Sequence, residues 1–386
     1  MLHQKQHHKK KDESKSPKLE KGKEKEKMKD NKNFKDTKGV KSKGERKDET
    51  KLGKGGYGKV KERDGYAVKS FKKTSHLIQE WIVGAYLKGV KGIIKFKSFD
   101  LENKEITMEL HETNLGRVIR KGELEENEKY KVFYDIVKGL AEIHGRGLVH
   151  ADIRPQNILI SRDPLRATIA DLGFVSLPKF AKVDRTAHSY RDLDIVGSYA
   201  HDMFSLAVTM IELFGDYDVD EIKNYKMIAK LIVQTIKDEN LRDLALMLAN
   251  PEHNERLKAS DLLFLLGKKP KRITVKRVRL EKSVPKTYSK VKKFIKEFTE
   301  KYFDVKNIGR ATKVLVSFLR RHKIKEEEFK IYSLSMMLIA SGIYGPHGIK
   351  ENQLSAKFEV KEEDIHKTLR EMLTDDELIT GLLMPD

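Results

Sequence analysis

The chain has 386 residues, a formal net charge of +20 and no cysteine. That length suits two ordinary domains plus a tail, and the missing cysteine excludes disulfides, thiolate nucleophiles and cysteine-ligated zinc. No run of about 18 apolar residues is present and no hydrophobic signal core opens the chain. The expectation is an intracellular protein of cytoplasm or nucleus, not secreted and without a membrane contact.

Residues 1–50 hold 18 basic side chains against 10 acidic ones and few apolar groups. Such a segment buries too little to offset the entropy of ordering, so a disordered basic tail is expected. It serves as a solubilising extension, or as an arm for docking or nonspecific nucleic-acid contact. Hydrophobic periodicity starts at Leu52, in LGKGGYGKV (52–60). Gly53, Gly55 and Gly58 spell G-x-G-x-x-G, which fits a dinucleotide fold or a kinase loop. Gly53 to Lys59 also spells the opening of a P-loop. A P-loop needs Ser or Thr next to hold magnesium, and Val60 stands there instead. A dinucleotide loop opens straight into a helix. Here Val60, Tyr66 and Val68 recur at strand-like intervals, and Asp64-Gly65 is a strong hairpin signal. The glycine loop therefore lies between two strands, and Lys69 lies on the second.

The motifs that follow are AVK with Lys69, the amphipathic stretch SHLIQEWIVGAYLKG, EITMELH, LVHADIRPQNILI, ATIADLG, YRDLD, the apolar stretch SYAHDMFSLAVTMIELFG, and ERLKASDLL. In this order they resemble the eukaryotic-type protein kinase family over residues 52–266. The resemblance implies ATP and Mg2+ as cofactors and a protein substrate. It implies that Gly53, Gly55, Gly56 and Gly58 bring backbone N–H groups to the phosphates, with Tyr57 at the loop tip. Leu52, Val60 and Ala67 then border the adenine. Lys69 pairs with the α- and β-phosphates and is held by Glu80 of the next helix. Read without the family, Glu80 would be a solvated helix face. Met108 becomes the gatekeeper, and Glu109 to His111 lend backbone groups to adenine. Asp152 accepts or orients the substrate hydroxyl proton. Arg154 keeps a positive charge near the transferred phosphate, where serine/threonine kinases usually have lysine. Asn157 and Asp171 bind the metal, although an isolated Asp before Gly is usually a turn residue. Asp202 braces the catalytic loop, and Arg256 pairs with Asp194.

Several positions depart from the family. Ala151 replaces the arginine that grips a phosphorylated activation loop, so activity is expected not to depend on phosphorylation of Ser176, Thr186 or Ser189. Thr186 also stands one residue out of register. Gly84 leaves its helix without an apolar side chain toward the core and weakens it by about 1 kcal/mol relative to Ala. That helix is expected to need outside support, which a leucine at 84 would supply. His-Ala-Asp also resembles the H-G-D of atypical and small-molecule kinases.

A basic connector spans 267–285, where KKPKR reads as a charged linker or a nuclear import signal. Four or five helices are expected after Pro285. SKVKKFIKEFTEKYF puts Val291, Phe294, Ile295, Phe298 and Tyr302 on one face, with Lys290, Lys292, Lys293 and Lys296 as a basic face. NIGRATKVLVSFLRRHKI carries Ile308, Ala311, Val314, Leu315, Phe318 and Leu319. IYSLSMMLIASGIYG is apolar with small residues, as a central helix would be. ENQLSAKF and EEDIHKTLREML close the set. Ala340, Ser341 and Gly345 make residues 286–386 resemble one cyclin-like repeat of the transcription-factor-B type. The last two helices also resemble a helix-turn-helix, with Ala356 and Val360 suitably placed. There the N-terminus reads Lys361, Glu362, Glu363, Asp364, whose carboxylates repel phosphates, so core packing is the better reading.

The expected fold class is α+β: a bilobal kinase fold at 51–266, then a small all-α cyclin-like domain. The expected function is a serine/threonine protein kinase regulated in cis by that domain. The alternative is a pseudokinase scaffold that recruits protein or nucleic-acid partners.

Overall fold

The computed structural model describes residues 50–54, 58–180, 190, 195, 197–219, 227–267, 273, 278, 280, 283–299, 305–345 and 349–384. The tail, Gly55, Gly56, Tyr57, Thr186, Ser189, Asp194, Tyr302 and most of the connector lie outside the described residues, as do the nucleic-acid contacts expected of tail and connector.

Five strands and one helix come first: β1 (Thr50–Lys54), β2 (Gly58–Arg63), β3 (Tyr66–Phe71), α1 (Thr74–Tyr86), β4 (Phe96–Asp100) and β5 (Glu105–Glu109). They form an antiparallel sheet in the order β1-β2-β3-β5-β4. Asp64 and Gly65 turn β2 into β3 with φ of 52° and 74°, a two-residue hairpin whose positive φ values match the strand twist. That hairpin fixes the register in which Val60 faces Lys69.

A larger helical lobe follows. β6 (Thr113–Asn114) leads into α2 (Leu115–Arg120) and α3 (Glu126–Gly145), then β7 (Ile158–Ser161) and β8 (Arg166–Ile169). The three strands pair antiparallel as β6-β7-β8. Next come α4 (Tyr199–Gly215), α5 (Ile228–Thr235), α6 (Glu239–Leu248) and α7 (Ala259–Leu265). Ser198 caps α4 by accepting from His201 N, and the helix is buried from His201 to Leu213. It is apolar nearly all round because it has no solvent face to supply.

The C-terminal helices are α8 (Ser289–Thr299), α9 (Val305–Arg321), α10 (Phe329–Tyr344), α11 (Glu351–Phe358), α12 (Glu362–Leu373) and α13 (Asp376–Leu383). α10 is buried along its length except at Lys330 and Ile331 and packs on α8, α9 and α12. α13 exceeds the four or five helices expected. Its eight residues are too short for a clear period, yet Asp375 caps it by accepting from Leu378 N. α12 turns Ile365, Leu369, Met372 and Leu373 inward, so it packs as a core helix.

These helices enclose α1, which packs on α10, α12 and α13. The Trp81 indole donates to the Leu373 carbonyl at 2.9 Å and its ring rests on Phe96 and Phe99. Gly342 of α10 lies against the first turn of α1, where a Cβ would stand 2.9 Å from the Ser75 carbonyl oxygen. Arg370 pairs with Glu102, and Tyr344 meets Phe180 with ring centroids 5.0 Å apart. Gly84 does not leave a gap: a Cβ there would come 2.2 Å from the Phe96 ring. The ring already fills that space, so a leucine at 84 would clash instead of supporting α1. No helix among the described residues is long and apolar enough to cross a membrane.

Candidate active site

Three elements bring one cation and two carboxylates together. β3 supplies Lys69, α1 supplies Glu80, and the turn after β8 supplies Asp171. Lys69 Nζ donates to both Glu80 oxygens at 2.8 and 2.7 Å and to Asp171 Oδ1 at 2.7 Å. Asp171 takes a left-handed conformation, φ 58° and ψ 66°, which aspartate tolerates better than most residues. Gly173 follows, where a Cβ would sit 3.1 Å from Glu80 Oε2, so the turn can close on the carboxylate.

Burial opposes the Lys69 ammonium, but the charges of Asp171 and Glu80 outweigh it and raise its pKa. Burial pushes the Glu80 carboxyl up to about 7, against the pull of Lys69. Burial also pushes Asp171 up, yet the charge and hydrogen bond of Lys69 hold it below the usual carboxylate range. Asp171 is therefore the firm anion of the cluster.

The loop between α3 and β7 carries Asp152. Its backbone is pinned from α4: Asp202 accepts from His150 N and Ala151 N, both at 2.7 Å. Asp202 also lies 2.9 Å from His144 Nε2. Burial pushes its pKa up, but the His144 hydrogen bond and the nearby His144, His150 and His201 rings outweigh it and hold the pKa down. Ala151 sits at φ 63° under this constraint. Asn157 Nδ2 donates to Asp152 O at 2.8 Å and to Asp152 Oδ2 at 2.6 Å. Arg154 Nε is 3.4 Å from Asp152 Oδ1, which is buried and has no hydrogen-bond partner. Burial raises the Asp152 pKa, with Arg154 pulling it down and Asp171 adding to the rise. A buried acceptor without a hydrogen bond costs roughly 1–3 kcal/mol, which the Arg154 charge at 3.4 Å offsets in part. A ligand hydroxyl would satisfy it.

Lys69, Glu80 and Asp171 open with Arg154 and Asn157 into one cleft of about 290 Å3, and Asp152 stands outside its lining, held by Asn157. Leu52, Val60, Ala67 and Met108 give it apolar walls, and Lys69, Glu80, Arg154, Asn157 and Asp171 line it as well. Gly58 lines it too, and a Cβ there would stand 1.9 Å from the Ser70 carbonyl oxygen, so only glycine fits. Gly53 pairs with Val60 across a register irregularity in β1. Glu109 and His111 border the cleft with their side chains engaged elsewhere: the Glu109 carboxylate with Lys95, the His111 ring with Ser161 Oγ at 3.0 Å. Arg256 donates to Asn250 O at 2.8 Å and Ala200 O at 3.0 Å, its expected partner Asp194 lying outside the described residues.

Leu110, inside the expected 109–111 segment, lines the cleft as well, and Leu159 and Ala170 line it and escaped the sequence reading. Leu159 had a legible signal. In β7, Ile158 and Ile160 are buried while Leu159 is half-buried, the alternation that puts neighbours on opposite faces. Among the described residues no cluster of three His, Cys, Asp or Glu forms a metal cage. The donors present are the Asp171 carboxylate and the Asn157 amide oxygen. Such hard oxygen ligands suit magnesium, which commonly takes one or two carboxylates plus phosphate oxygens and water.

A family profile described as the protein kinase domain matches residues 46–312. The chain belongs to the protein kinase family. It is 27% identical over 152 residues to a probable protein kinase of Dictyostelium discoideum, covering 37% of this chain and 43% of that one. It is 27% identical over 212 residues to 3-phosphoinositide-dependent protein kinase 1 of Arabidopsis thaliana, covering 48% and 43%. A shorter match, 34% over 67 residues, covers 17% of this chain and 10% of human receptor-interacting serine/threonine-protein kinase 1. The chain thus spans less than half the length of these relatives. Protein kinases use ATP and divalent metal ions, and the kinase cleft described above has the donors for both.

Proposed function

We propose that this protein kinase transfers the γ-phosphate of ATP to serine and threonine hydroxyls of protein substrates. One observation carries the reading. Lys69, Glu80 and Asp171 share one cleft with Arg154 and Asn157, and Asn157 donates to Asp152, whose other oxygen is buried without a hydrogen bond, 3.4 Å from Arg154 Nε.

The roles follow from position. Leu52, Val60, Ala67 and Met108 would enclose adenine, with backbone groups of Glu109 and His111 at its edge. Gly53, Gly55, Gly56 and Gly58 would admit the phosphates to backbone N–H groups. Lys69, held by Glu80, would neutralise the α- and β-phosphates. Asn157 and Asp171 would hold magnesium, which supplies charge neutralisation across the phosphates. The substrate hydroxyl would donate to Asp152 Oδ1, which takes its proton or fixes its direction. Arg154 would add positive charge beside the transferred group and favours Ser/Thr over Tyr. Transfer then rests on positioning and electrostatics, with no covalent step on the protein.

The finer reading concerns the rest of the chain. Residues 51–266 would form the kinase domain and 267–285 a linker, although the family profile runs on to residue 312. Residues 286–386 would act as a cyclin-like module that holds α1 in cis. The Trp81–Leu373 hydrogen bond and the close Gly342–Ser75 approach support this. Ala151 in place of arginine supports activity without loop phosphorylation.

The test is to incubate the full chain with γ-labelled ATP, magnesium and a general protein substrate, then identify the labelled amino acids after hydrolysis. Phosphoserine and phosphothreonine are expected. Phosphotyrosine alone would overturn the specificity, and no label at all would overturn the transfer.

A further inference from the structure

A second cleft, of about 440 Å3, shares no residue with the nucleotide cleft. It lies where the start of α1 meets the start of α11 and α12. Its cations are Lys72, Lys73, Lys104 and Lys350, and its carboxylates are Glu351 and Glu362. Two positive charges therefore remain in excess.

Three features make this an unsatisfied positive end. His76 N already donates to the Lys73 carbonyl at 3.1 Å, whereas the Thr74 and Ser75 N–H groups precede the first intrahelical acceptor and carry the positive end of the helix dipole. α1 has neither a side-chain cap nor an acidic residue in its first turn, and lysine occupies its N-cap. That arrangement adds charge of the wrong sign at a position where Ser, Thr, Asp or Asn usually accepts a hydrogen bond. Independently, Thr74 lines the cleft, is only 6% exposed, and its hydroxyl has no hydrogen-bond partner. A buried hydroxyl left unpaired destabilises the chain unless a ligand oxygen completes it.

We propose that this cleft binds a phosphate dianion, either free inorganic phosphate or the phosphoryl group of a phosphorylated side chain. The excess of two positive charges matches a dianion, and phosphate oxygens accept from lysine ammoniums, backbone N–H groups and the Thr74 hydroxyl together. Glu351 and Glu362 keep a bulkier polyanion from being favoured. Glu351 Oε1 lies 3.9 Å from His366 Nε2, and neither atom makes a hydrogen bond. Because the lining comes from both α1 and the C-terminal helices, the bound anion ties the two together.

The experiment is thermal denaturation of the full chain, with the nucleotide cleft filled by magnesium and a non-hydrolysable ATP analogue. Inorganic phosphate is titrated first, then a short phosphoserine peptide and its unphosphorylated counterpart. A saturable rise in Tm with phosphate is expected. Lys72 and Lys350 are exposed, so the Lys72→Ala, Lys350→Ala double variant should fold and should weaken phosphate binding about tenfold. Thr74→Val should raise Tm without phosphate and shrink the phosphate-induced rise, since it removes the orphan hydroxyl. A tighter response to the phosphopeptide assigns a phosphorylated side chain, and an equal response assigns the free anion. No saturable rise, or an equal rise in the double variant, overturns the proposal.

Discussion

The two sides of α1 differ in how they are held. Toward the cleft, Glu80 meets Lys69, eleven residues earlier, through one buried charge contact. On the other side, Trp81 meets Leu373, 292 residues later, and α10, α12 and α13 pack around the same helix. On the proposed reading, the first contact serves chemistry and the second fixes where the first can form. A kinase lobe whose central helix leans on a distant segment should be sensitive from both directions, but by different amounts.

The largest effect is expected inside the cleft. Lys69→Met should reduce phosphate transfer by on the order of 10²–10³-fold, with the chain still folded by circular dichroism. Retained activity would remove Lys69 from the phosphate site. Next comes the far side. Gly342→Val drives a side chain toward the Ser75 carbonyl, and such overpacking costs about 1–3 kcal/mol. Urea unfolding should show that loss, and transfer should fall with it. Unchanged activity in a folded Gly342→Val chain would mean that the far side does not set the near one.

A pH series separates the charges. Glu80 is raised from its ordinary value of 4.5 to about 7. Its folded-state proton therefore stabilises the chain fully below 4.5, and this contribution fades as pH rises toward 7. Asp171 is lowered from 3.8, so its contribution is present above that value and is lost on acidification below it. Glu80→Gln should flatten the stability change between pH 4.5 and 7, a difference on the order of 1–3 kcal/mol. An identical slope in the variant would place that proton elsewhere. The smallest effect is expected from Trp81→Phe, which keeps the ring packing and loses the Leu373 hydrogen bond, about 1 kcal/mol. Thermal denaturation reads it directly. A loss several times larger would show that the indole does more than donate.

What was legible in the sequence follows the same division. Asp64-Gly65, Lys69, Asp152, Asn157 and Asp171 sit in short motifs whose spacing reflects local backbone needs, so their elements could be placed from the chain alone. The reading of Gly84 could not. Its neighbour Phe96 lies on another element, and only the packed structure shows the ring in the space a side chain would take. Leu159 was legible by alternation in β7. Ala170 was not, since a lone alanine carries no pattern. α13 was missed because eight residues with one capping aspartate barely exceed two turns. The contacts of Gly342 and Trp81 have no local signal, because a small residue and an aromatic on helix faces read equally well as ordinary core.

The most direct measurement is transfer of label from γ-labelled ATP by the full chain in magnesium, run beside Asp152→Ala. Asp152 is buried and hydrogen-bonded to Asn157, so nucleotide binding is measured alongside to show that the cleft survives. The account predicts transfer by the wild-type chain and its near-complete loss in Asp152→Ala with nucleotide still bound. Equal transfer by the two chains, or none by the wild type, would contradict it.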